Sequence, residues 1–514
     1  MLRPCLSRRA LIKNGALAAI ACATHRSAFA SPANDAPSVR TRLGLLRGEN
    51  QNGVRVFRGV PFAAPPVGPL RFRPPVAMSP WTGEREATRF QAAPPQPAER
   101  EKVEHSEDCL YLNIWAPQGS GPFPVFVWIH GGGFTSGRAF EPIYDGAKFA
   151  AAGIVCVTVE YRLGVFGFLD LEPILGSSYA GSANNGIRDL IASLTWLREN
   201  IADFGGDPSR ITIGGESAGA KLADILMGIP VAKPLFQQVI SESGGAERVW
   251  PNATAQTVGS AFAESFRSQT NSTNRDLLTA PAPSLLQVQK KFLEYYPQHF
   301  PLRPEIDNDL LHQLPVANIA AGSSKGKRLL IGTNLDESAL FVGPHPGHDA
   351  TPSELGNLPQ ATFASVYKQY AGIYPQMTED QRRIRALTAE EYWIPSLRVA
   401  NAHVSSGGTA WMYSLDFTET LGRLSGYAYH SLDVGLVWKQ PHTKIGNDSA
   451  EAALASTIHE AWIAFIKGAP PSAPALPSWT RYTPDQRATM ILDSKSRMET
   501  NPQESEYLLW KGVL

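Results

Sequence analysis

This 514-residue sequence contains few cysteines, has a formal net charge of zero and lacks an apolar run long enough to cross a membrane. Cysteine occurs only four times, twice within the first thirty residues. Lys and Arg number 47, as do Asp and Glu, so no excess of basic charge indicates a nucleic-acid partner. Cys and His show no zinc-site spacing, and no glycine-rich phosphate loop is found. We therefore expect a large globular protein that needs no metal or cofactor and binds no nucleic acid.

The first thirty residues have the pattern of an export signal rather than of a folded segment. Ser7–Lys13 resembles a twin-arginine motif, and Gly15–Ala23 is alanine-rich and weakly apolar. Ala28–Ala30 has the A-x-A form of a cleavage site. We predict that residues 1–30 are a signal peptide, too short for a membrane span, that is removed after export.

Residues 31–514 are then expected to form a single domain in the periplasm or the medium. Without the signal the chain has 42 basic and 47 acidic residues, a net charge of −5. Lipid attachment at Cys22 is an alternative. It is disfavoured because Ala19 stands where a lipoprotein signal usually has a branched aliphatic residue.

The segment Gly215–Gly219 reads Gly-Glu-Ser-Ala-Gly, a G-x-S-x-G sequence between a predicted strand and a predicted helix. Arg210–Gly214 has the β-branched composition of a buried strand, and Ala220–Met227 is apolar at helical spacing. A serine at such a junction lies on a sharp turn that exposes its hydroxyl near the helix N-terminus. We predict that Ser217 is a nucleophile; the alternative is a glycine-rich turn without chemistry.

A second glycine-rich segment follows another predicted strand. Val125–Ile129 is apolar and is followed by His-Gly-Gly-Gly-Phe. Consecutive glycines leave backbone N–H groups accessible, as an oxyanion hole requires. We assign its donors to Gly132, Gly133 and Ala218; the alternative for the glycines is a flexible loop.

A serine nucleophile needs a histidine and an acid, and in this setting the chain order is Ser, acid, His. The predicted strand Arg328–Asn334 is followed by two acids, Asp336 and Glu337. Order and setting favour His430 as the base, without excluding the others. The six histidines beyond Glu337 are His345, His348, His403, His430, His442 and His459.

Several motifs together make the sequence resemble the type-B carboxylesterase and cholinesterase family of α/β-hydrolases. They are Phe204–Gly219, Glu107–Asn113, Phe57–Phe72 and Asn185–Asp189. The resemblance covers nearly all of the chain after the first forty residues. It implies an α/β fold with a large, mostly parallel, twisted sheet flanked by helices, and helical insertions over the active site.

The resemblance also implies the residues of a catalytic triad. It selects Glu337 rather than Asp336 as the acid, and His430 as the base of Ser217. Glu216 and Asp433 match acidic positions close to the triad in relatives, although ordinary turn polarity would also explain them.

Two departures from the family limit what the resemblance implies. Relatives usually bridge the cysteine at Cys109 to one about fifteen residues upstream, but Pro94 stands at that position here. We therefore predict no disulfide, with Cys156 a small core residue. No tryptophan lies between Pro94 and Cys109, where cholinesterases carry the aromatic residue that holds a quaternary ammonium group.

The organisation along the chain is expected to be simple. Residues 31–125 look like an amino-terminal β-rich cap, and the central sheet starts near Phe123. Residues 250–325 and 345–405 have helical patterns, many of them polar. Ala410–Leu415 is a candidate for the last strand, and a helix near residues 450–466 would close the fold.

The predicted function is hydrolysis of small-molecule carboxylic esters through an acyl-enzyme. Phe134, Trp250 and Arg248 are expected near the acyl pocket. A guanidinium there, from Arg248 or Arg138, would favour carboxylated acyl groups such as the tricarballylate of fumonisins; arginines that face solvent or pair with acids are the alternative. Thioester, amide or lactone hydrolysis uses the same machinery, and a non-catalytic scaffold is the least favoured reading. The oligomeric state is not predicted.

Overall fold

The computed structural model describes residues 36–97, 103–342, 358–440 and 449–514, and Ala36–Leu514 forms one structural unit. The predicted export signal and the alternative lipid site at Cys22 lie outside the described residues. So do three of the candidate histidines, His345, His348 and His442.

Within the described residues, fourteen strands form two sheets. The strands are β1 (Ser38–Arg40), β2 (Leu45–Arg47), β3 (Glu49–Gln51), β4 (Val54–Pro61), β5 (Glu84–Glu86), β6 (Tyr111–Pro117), β7 (Phe123–Ile129), β8 (Val155–Val159), β9 (Gly206–Glu216), β10 (Gln238–Glu242), β11 (Arg328–Asn334), β12 (Thr409–Leu415), β13 (Thr489–Leu492) and β14 (Arg497–Glu499). Eleven make one mixed sheet in the order β14-β13-β12-β11-β10-β9-β7-β8-β6-β4-β3, and β1, β2 and β5 make a small separate sheet.

The helices of the described residues fall mostly after β7, between the strands of the large sheet. They are α1 (Ala147–Ala151), α2 (Gly164–Gly167), α3 (Glu172–Leu175), α4 (Asn185–Asn200), α5 (Ala218–Met227), α6 (Asn252–Thr270), α7 (Ala282–Tyr295), α8 (Pro315–Ala320), α9 (Ala339–Val342), α10 (Gln360–Tyr367), α11 (Tyr370–Ile373), α12 (Glu379–Thr388), α13 (Ile394–Ser405), α14 (Leu432–Val437), α15 (Ser449–Ile466) and α16 (Glu504–Trp510). None of those described combines the length and apolarity needed to cross a bilayer.

The centre of the large sheet is parallel, from β8 through β7, β9, β10, β11 and β12 to β13. Every residue of β8 and β10 is buried, because helices cover both faces of a parallel sheet. Parallel strands end at the same edge, so the segments after β7, β9, β10 and β11 meet there. These segments carry the glycine loop, Ser217, Ser243 and Glu337.

The prediction of an amino-terminal β-rich cap separate from the central sheet is wrong. Strands β3, β4 and β6 extend the large sheet, with β4 antiparallel to β6 and Val60 opposite Leu112. Only the three short strands β1, β2 and β5 stand apart. The burial of β4 and β6 agrees with their placement in the large sheet, since β6 is buried at every position and β4 at six of eight, as in a sheet whose faces are covered.

The end of the chain also differs from the expectation. Thr409–Leu415 is not the last strand, because β13 pairs with it in parallel and β14 pairs with β13. The helix α15 is followed by this strand pair and by α16. The predicted helical character of residues 250–325 and 345–405 agrees with α6 to α8 and α10 to α13. Cys109 and Cys156 are both buried free thiols.

Candidate active site

Ser217 lies on a strained turn between β9 and α5. Its φ of 57° and ψ of −125° are unfavourable for a residue with a side chain. The turn is possible because its glycines pack against backbone: a Cβ atom at Gly219 would lie 2.0 Å from the carbonyl oxygen of Ile129. The strain and the packing together hold the Ser217 side chain at the carboxyl edge of the sheet.

The glycine loop after β7 presents its amides to the same place. Gly132 and Gly133 have positive φ values of 111° and 61°, and a Cβ at Gly132 would lie 2.0 Å from the carbonyl oxygen of Ser136. The Ser136 amide and hydroxyl both donate to the Gly132 carbonyl at 3.0 Å, which fixes the loop. Within the described residues, the N–H groups of Gly132, Gly133 and Ala218 donate no hydrogen bond. They are available to an external oxygen.

Glu337 and His430 are in direct contact at this edge. The Nδ1 of His430 lies 2.6 Å from Oε2 of Glu337, and both side chains are buried. The other carboxylate oxygen of Glu337 accepts from the Asn334 amide at 2.7 Å and from the Ser243 hydroxyl. These donors leave the carboxylate one orientation, which fixes the imidazole ring. Asp336 instead accepts from the Ala428 amide and does not contact the ring.

The second nitrogen of the imidazole faces another carboxylate. Nε2 of His430 lies 3.0 Å from Oε1 of Glu216, which also accepts from the Ser431 hydroxyl at 2.6 Å. No hydrogen bond joins the Ser217 hydroxyl to the imidazole within the described residues. Ser217 and His430 nevertheless line the same cavity. Such catalytic contacts often form only when substrate binds.

Two carboxylates around one ring set the charge of that ring. Burial alone would lower the pKa of His430, but the charges of Glu216 and Glu337 outweigh burial and raise this pKa to about 9. Burial also raises the pKa of Glu216, although His430 and Ser431 oppose that shift. The two carboxylates therefore stabilise the protonated form of the ring, in which each nitrogen can donate to one of them.

Asp433 lies behind this pair and does not contact the imidazole. It accepts from the hydroxyl of Tyr413 at 2.9 Å and from the side-chain amide of Asn334 at 3.3 Å. Burial, together with the charges of Glu337 and Glu216, raises the pKa of Asp433 to about 7. Asp433 thus ties β11 and β12 to the helix that follows His430.

The other two described candidate histidines have packing roles. Nδ1 of His403 forms a hydrogen bond of 2.8 Å with the Ser324 hydroxyl, and Nδ1 of His459 lies 2.8 Å from the Val437 carbonyl oxygen. Both are buried away from Ser217. Burial lowers the pKa of His403 to about 4, as expected for a neutral core residue.

Ser217 opens into a cavity of about 450 Å³. Its wall includes the glycine loop, the nucleophile turn and His430, together with a set of aromatic and apolar side chains. That set is Phe134, Phe300, Leu340, Phe341 and Tyr392. The size and lining suit an organic molecule rather than a polymer.

Of the predicted pocket residues, Phe134 and Arg248 line the cavity and Trp250 does not. The Trp250 indole donates to the Pro301 carbonyl oxygen at 2.8 Å, which holds the ring beneath a loop. Arg138 also lies outside the cavity wall and pairs with Glu141 at 2.9 Å. Trp250 therefore follows a lining residue, Arg248, without lining the cavity itself.

Lys221 and Glu391 complete the wall, and sequence reasoning missed both. Glu391 forms ion pairs with Arg248 and with Lys221, the latter at 3.2 Å. Lys221 could have been found, because it lies four residues after Ser217, in the first turn of the helix that follows the nucleophile. Glu391 and Tyr392 lie in a π-helical turn, Ala389–Trp393, that has no sequence signal.

Comparison with known proteins decides the family. The model of the Carboxylesterase family matches residues 35–510. The chain belongs to the carboxylesterase family. It is a carboxylic ester hydrolase with the α/β-hydrolase fold.

Similar proteins span almost the whole chain. The para-nitrobenzyl esterase of Bacillus subtilis is 35% identical over 487 residues, which cover 91% of this chain and 97% of that protein. The fumonisin B1 esterase of Sphingopyxis macrogoltabida is 30% identical, over 88% of this chain and 86% of that protein. A solved carboxylesterase structure from Geobacillus stearothermophilus has a TM-score of 0.82 at 34% identity, covering 92% of this chain and 99% of that one.

The contact between Glu216 and His430 predicts the pH dependence of this carboxylesterase. His430 can accept a proton only when neutral, so kcat/KM should rise with pH until the pKa of about 9 is passed. Glu216→Gln removes a charge that raises this pKa, so the midpoint should move to lower pH by roughly one unit or more. Initial rates with a phenyl ester, corrected for uncatalysed hydrolysis, measure both profiles.

Glu160→Gln is the matched control. Glu160 is also buried and faces an imidazole, since its Oε2 lies 3.5 Å from Nε2 of His130. Its replacement should leave the midpoint where it is in the wild type. An identical midpoint in Glu216→Gln would contradict the assignment.

Proposed function

We propose that Ser217, Glu337 and His430 are the catalytic triad of this ester hydrolase. The observation that carries the proposal is the contact of 2.6 Å between Glu337 and His430 Nδ1, made beside the cavity that Ser217 also lines. A buried carboxylate on Nδ1 fixes the tautomer that a base needs and stabilises the imidazolium once formed.

In the proposed mechanism the Ser217 hydroxyl attacks the ester carbonyl while His430 Nε2 takes its proton. For this step Nε2 exchanges its contact with Glu216 for the serine hydroxyl. The amides of Gly132, Gly133 and Ala218 bind the oxyanion, and each such donor is worth roughly 3 kcal/mol of barrier. His430 then protonates the leaving alcohol, and water repeats the sequence on the acyl-enzyme.

Ser217→Ala tests the triad directly. Since Ser217 is the proposed acyl acceptor, we expect kcat for 4-nitrophenyl butyrate to fall roughly 10⁵-fold or more, with an unchanged melting temperature. An organophosphate should add to the Ser217 peptide of the wild type by mass spectrometry, and not to that of the variant.

The control is Ser265→Ala, a helix-surface change outside the cavity, which should keep wild-type turnover. Normal turnover by folded Ser217→Ala enzyme would contradict the triad assignment. A wild type that hydrolyses no ester and takes no label would instead support the scaffold alternative.

We further propose that the substrates are neutral esters of short to medium acyl chains. Aromatic side chains supply most of the apolar wall. The alternative, a carboxylated acyl group as the name of the fumonisin B1 esterase suggests for that relative, depended on Arg248 and Arg138. Each of these instead pairs with a carboxylate of the protein itself, Glu391 and Glu141. A charged acyl group would have to compete with these two carboxylates for the arginines.

Acyl preference is measured with 4-nitrophenyl esters from acetate to dodecanoate. We expect kcat/KM to peak at medium chains, and the mono-ester of glutarate to react more slowly than the neutral pentanoate. A matched thioester and an anilide place those reaction classes on the same scale. Faster turnover of the glutarate ester would contradict the neutral-ester proposal.

Phe300 should set the chain-length limit. A Cβ atom at Gly133 would lie 3.1 Å from Cε1 of Phe300, so the Phe300 ring closes the cavity above the oxyanion loop. Phe300→Ala should raise the ratio of octanoate to acetate turnover about tenfold, because removing the ring opens space for several methylenes. Phe90→Ala, outside the cavity, is the control and should leave the ratio unchanged.

We also propose export through the twin-arginine signal in residues 1–30. Replacing Arg8 and Arg9 together by Lys should retain the enzyme inside the cell, while Cys22→Ser should not change its release. Fractionation with activity assays and a mass of the mature amino terminus measure this outcome. Normal export of the double-lysine variant would contradict the proposal, and membrane-bound wild type that Cys22→Ser releases would favour the lipid anchor.

A further inference from the structure

An open groove lined by three arginines lies apart from the ester site. The groove has a volume of about 770 Å³ and shares no lining residue with the cavity of Ser217. Arg73 reaches it from the loop after residues 68–70, Arg267 from the last turn of α6, and Arg275 from the short turn Asn274–Leu278. No acidic side chain of the described chain lines it.

The three guanidinium groups have neutral neighbours. Arg73 donates to the Ser178 carbonyl oxygen, and its guanidinium packs 4.1 Å from the centre of the Tyr179 ring. Arg267 donates to the side-chain oxygen of Asn274 at 3.2 Å. In the part of the chain that the structure describes, none of the three arginines forms an ion pair.

Two charged residues close to these arginines in the sequence are already engaged elsewhere. Arg71, two positions before Arg73, is neutralised by Glu107. Asp276 follows Arg275, but its carboxylate accepts from the amide and hydroxyl of Thr273 at 2.7 and 2.8 Å and so caps the turn. The groove therefore collects positive charge that the protein itself does not pair.

The remaining lining indicates the chemistry of the ligand. The Ser178 hydroxyl and the Asn274 side-chain amide offer neutral donors beside the arginines. Ile174, Leu175 and Leu278 supply an apolar side to the groove. Arginine binds phosphate through two parallel N–H donors, and several arginines together favour a doubly charged oxyanion over a single carboxylate.

We propose that this groove binds the phosphate group of an organic phosphate monoester. Arg73 is the anchor, because its carbonyl and ring contacts hold it in place, and Arg267 and Arg275 supply further donors to the ligand. The apolar side accommodates the organic part. The phosphate comes from a soluble metabolite or from a lipid headgroup, two sources with one chemistry.

Calorimetric titration of the full-length mature protein with phenyl phosphate tests the proposal, with benzyl alcohol as the uncharged probe. We expect saturable binding of phenyl phosphate alone, weakened by salt as screening of charge requires. The double variant Arg73→Gln/Arg275→Gln should lose affinity about tenfold or more, since hydrogen bonds to charged groups are lost. Arg73→Lys/Arg275→Lys should retain part of it.

Arg210→Gln is the matched control, because Arg210 is exposed but pairs with Asp207 away from the groove. It should bind phenyl phosphate as the wild type does. Flotation with phosphatidylcholine vesicles, with and without phosphatidate, separates the two sources: phosphatidate-dependent binding lost in the double Gln variant indicates a lipid, and its absence a soluble ligand. If no probe binds, or if the double Gln variant binds every probe like the wild type, the proposal is wrong.

Discussion

The contact between Glu337 and His430 Nδ1 is the interaction on which the site depends. The two residues stand 93 positions apart and lie on separate loops, so their contact depends on tertiary structure rather than on local sequence. Each is fixed from behind: Glu337 by the Asn334 amide and the Ser243 hydroxyl, and His430 by its backbone bond to the Glu337 carbonyl at 3.2 Å. Because both side chains are buried, removing one of them would leave either Oε2 of Glu337 or Nδ1 of His430 without this partner and without solvent.

The fold concentrates strain where it holds chemistry. Ser217 and Ser243 both have positive φ values, 57° and 60°, and both follow neighbouring parallel strands. The strain persists because packing prevents relaxation, as the 2.0 Å approach at Gly219 requires. Such strain lowers the stability of the fold. It also exposes the Ser217 hydroxyl and directs the Ser243 hydroxyl at the Glu337 carboxylate.

Local signals explain which parts of the structure could be predicted from the sequence. Gly215–Gly219 and the glycine loop lie beside continuous apolar strands, so their positions at the sheet edge follow from patterning and turn chemistry. Long-range pairing has no such signal: the strands β4 and β6 join the main sheet, and β13 continues it beyond Thr409–Leu415, through partners distant in the chain. The choice of Glu337 over Asp336 needed the family resemblance, because adjacent acids are equivalent to a pattern.

The wall of the Ser217 cavity shows the same limit, because the sequence does not reveal which charged side chains pair with one another. From the sequence, Arg248 looks like a ligand for an anionic substrate. In the structure it shares Glu391 with Lys221, and these three charges form one buried cluster, in which the lysine nitrogen lies 4.8 Å from the centre of the Tyr392 ring. Tyr392 in turn packs 4.7 Å from the ring of His430. The cluster therefore stands one side chain away from the imidazole. It supports that ring by packing through Tyr392, while Glu216 and Glu337 raise the proton affinity of the ring.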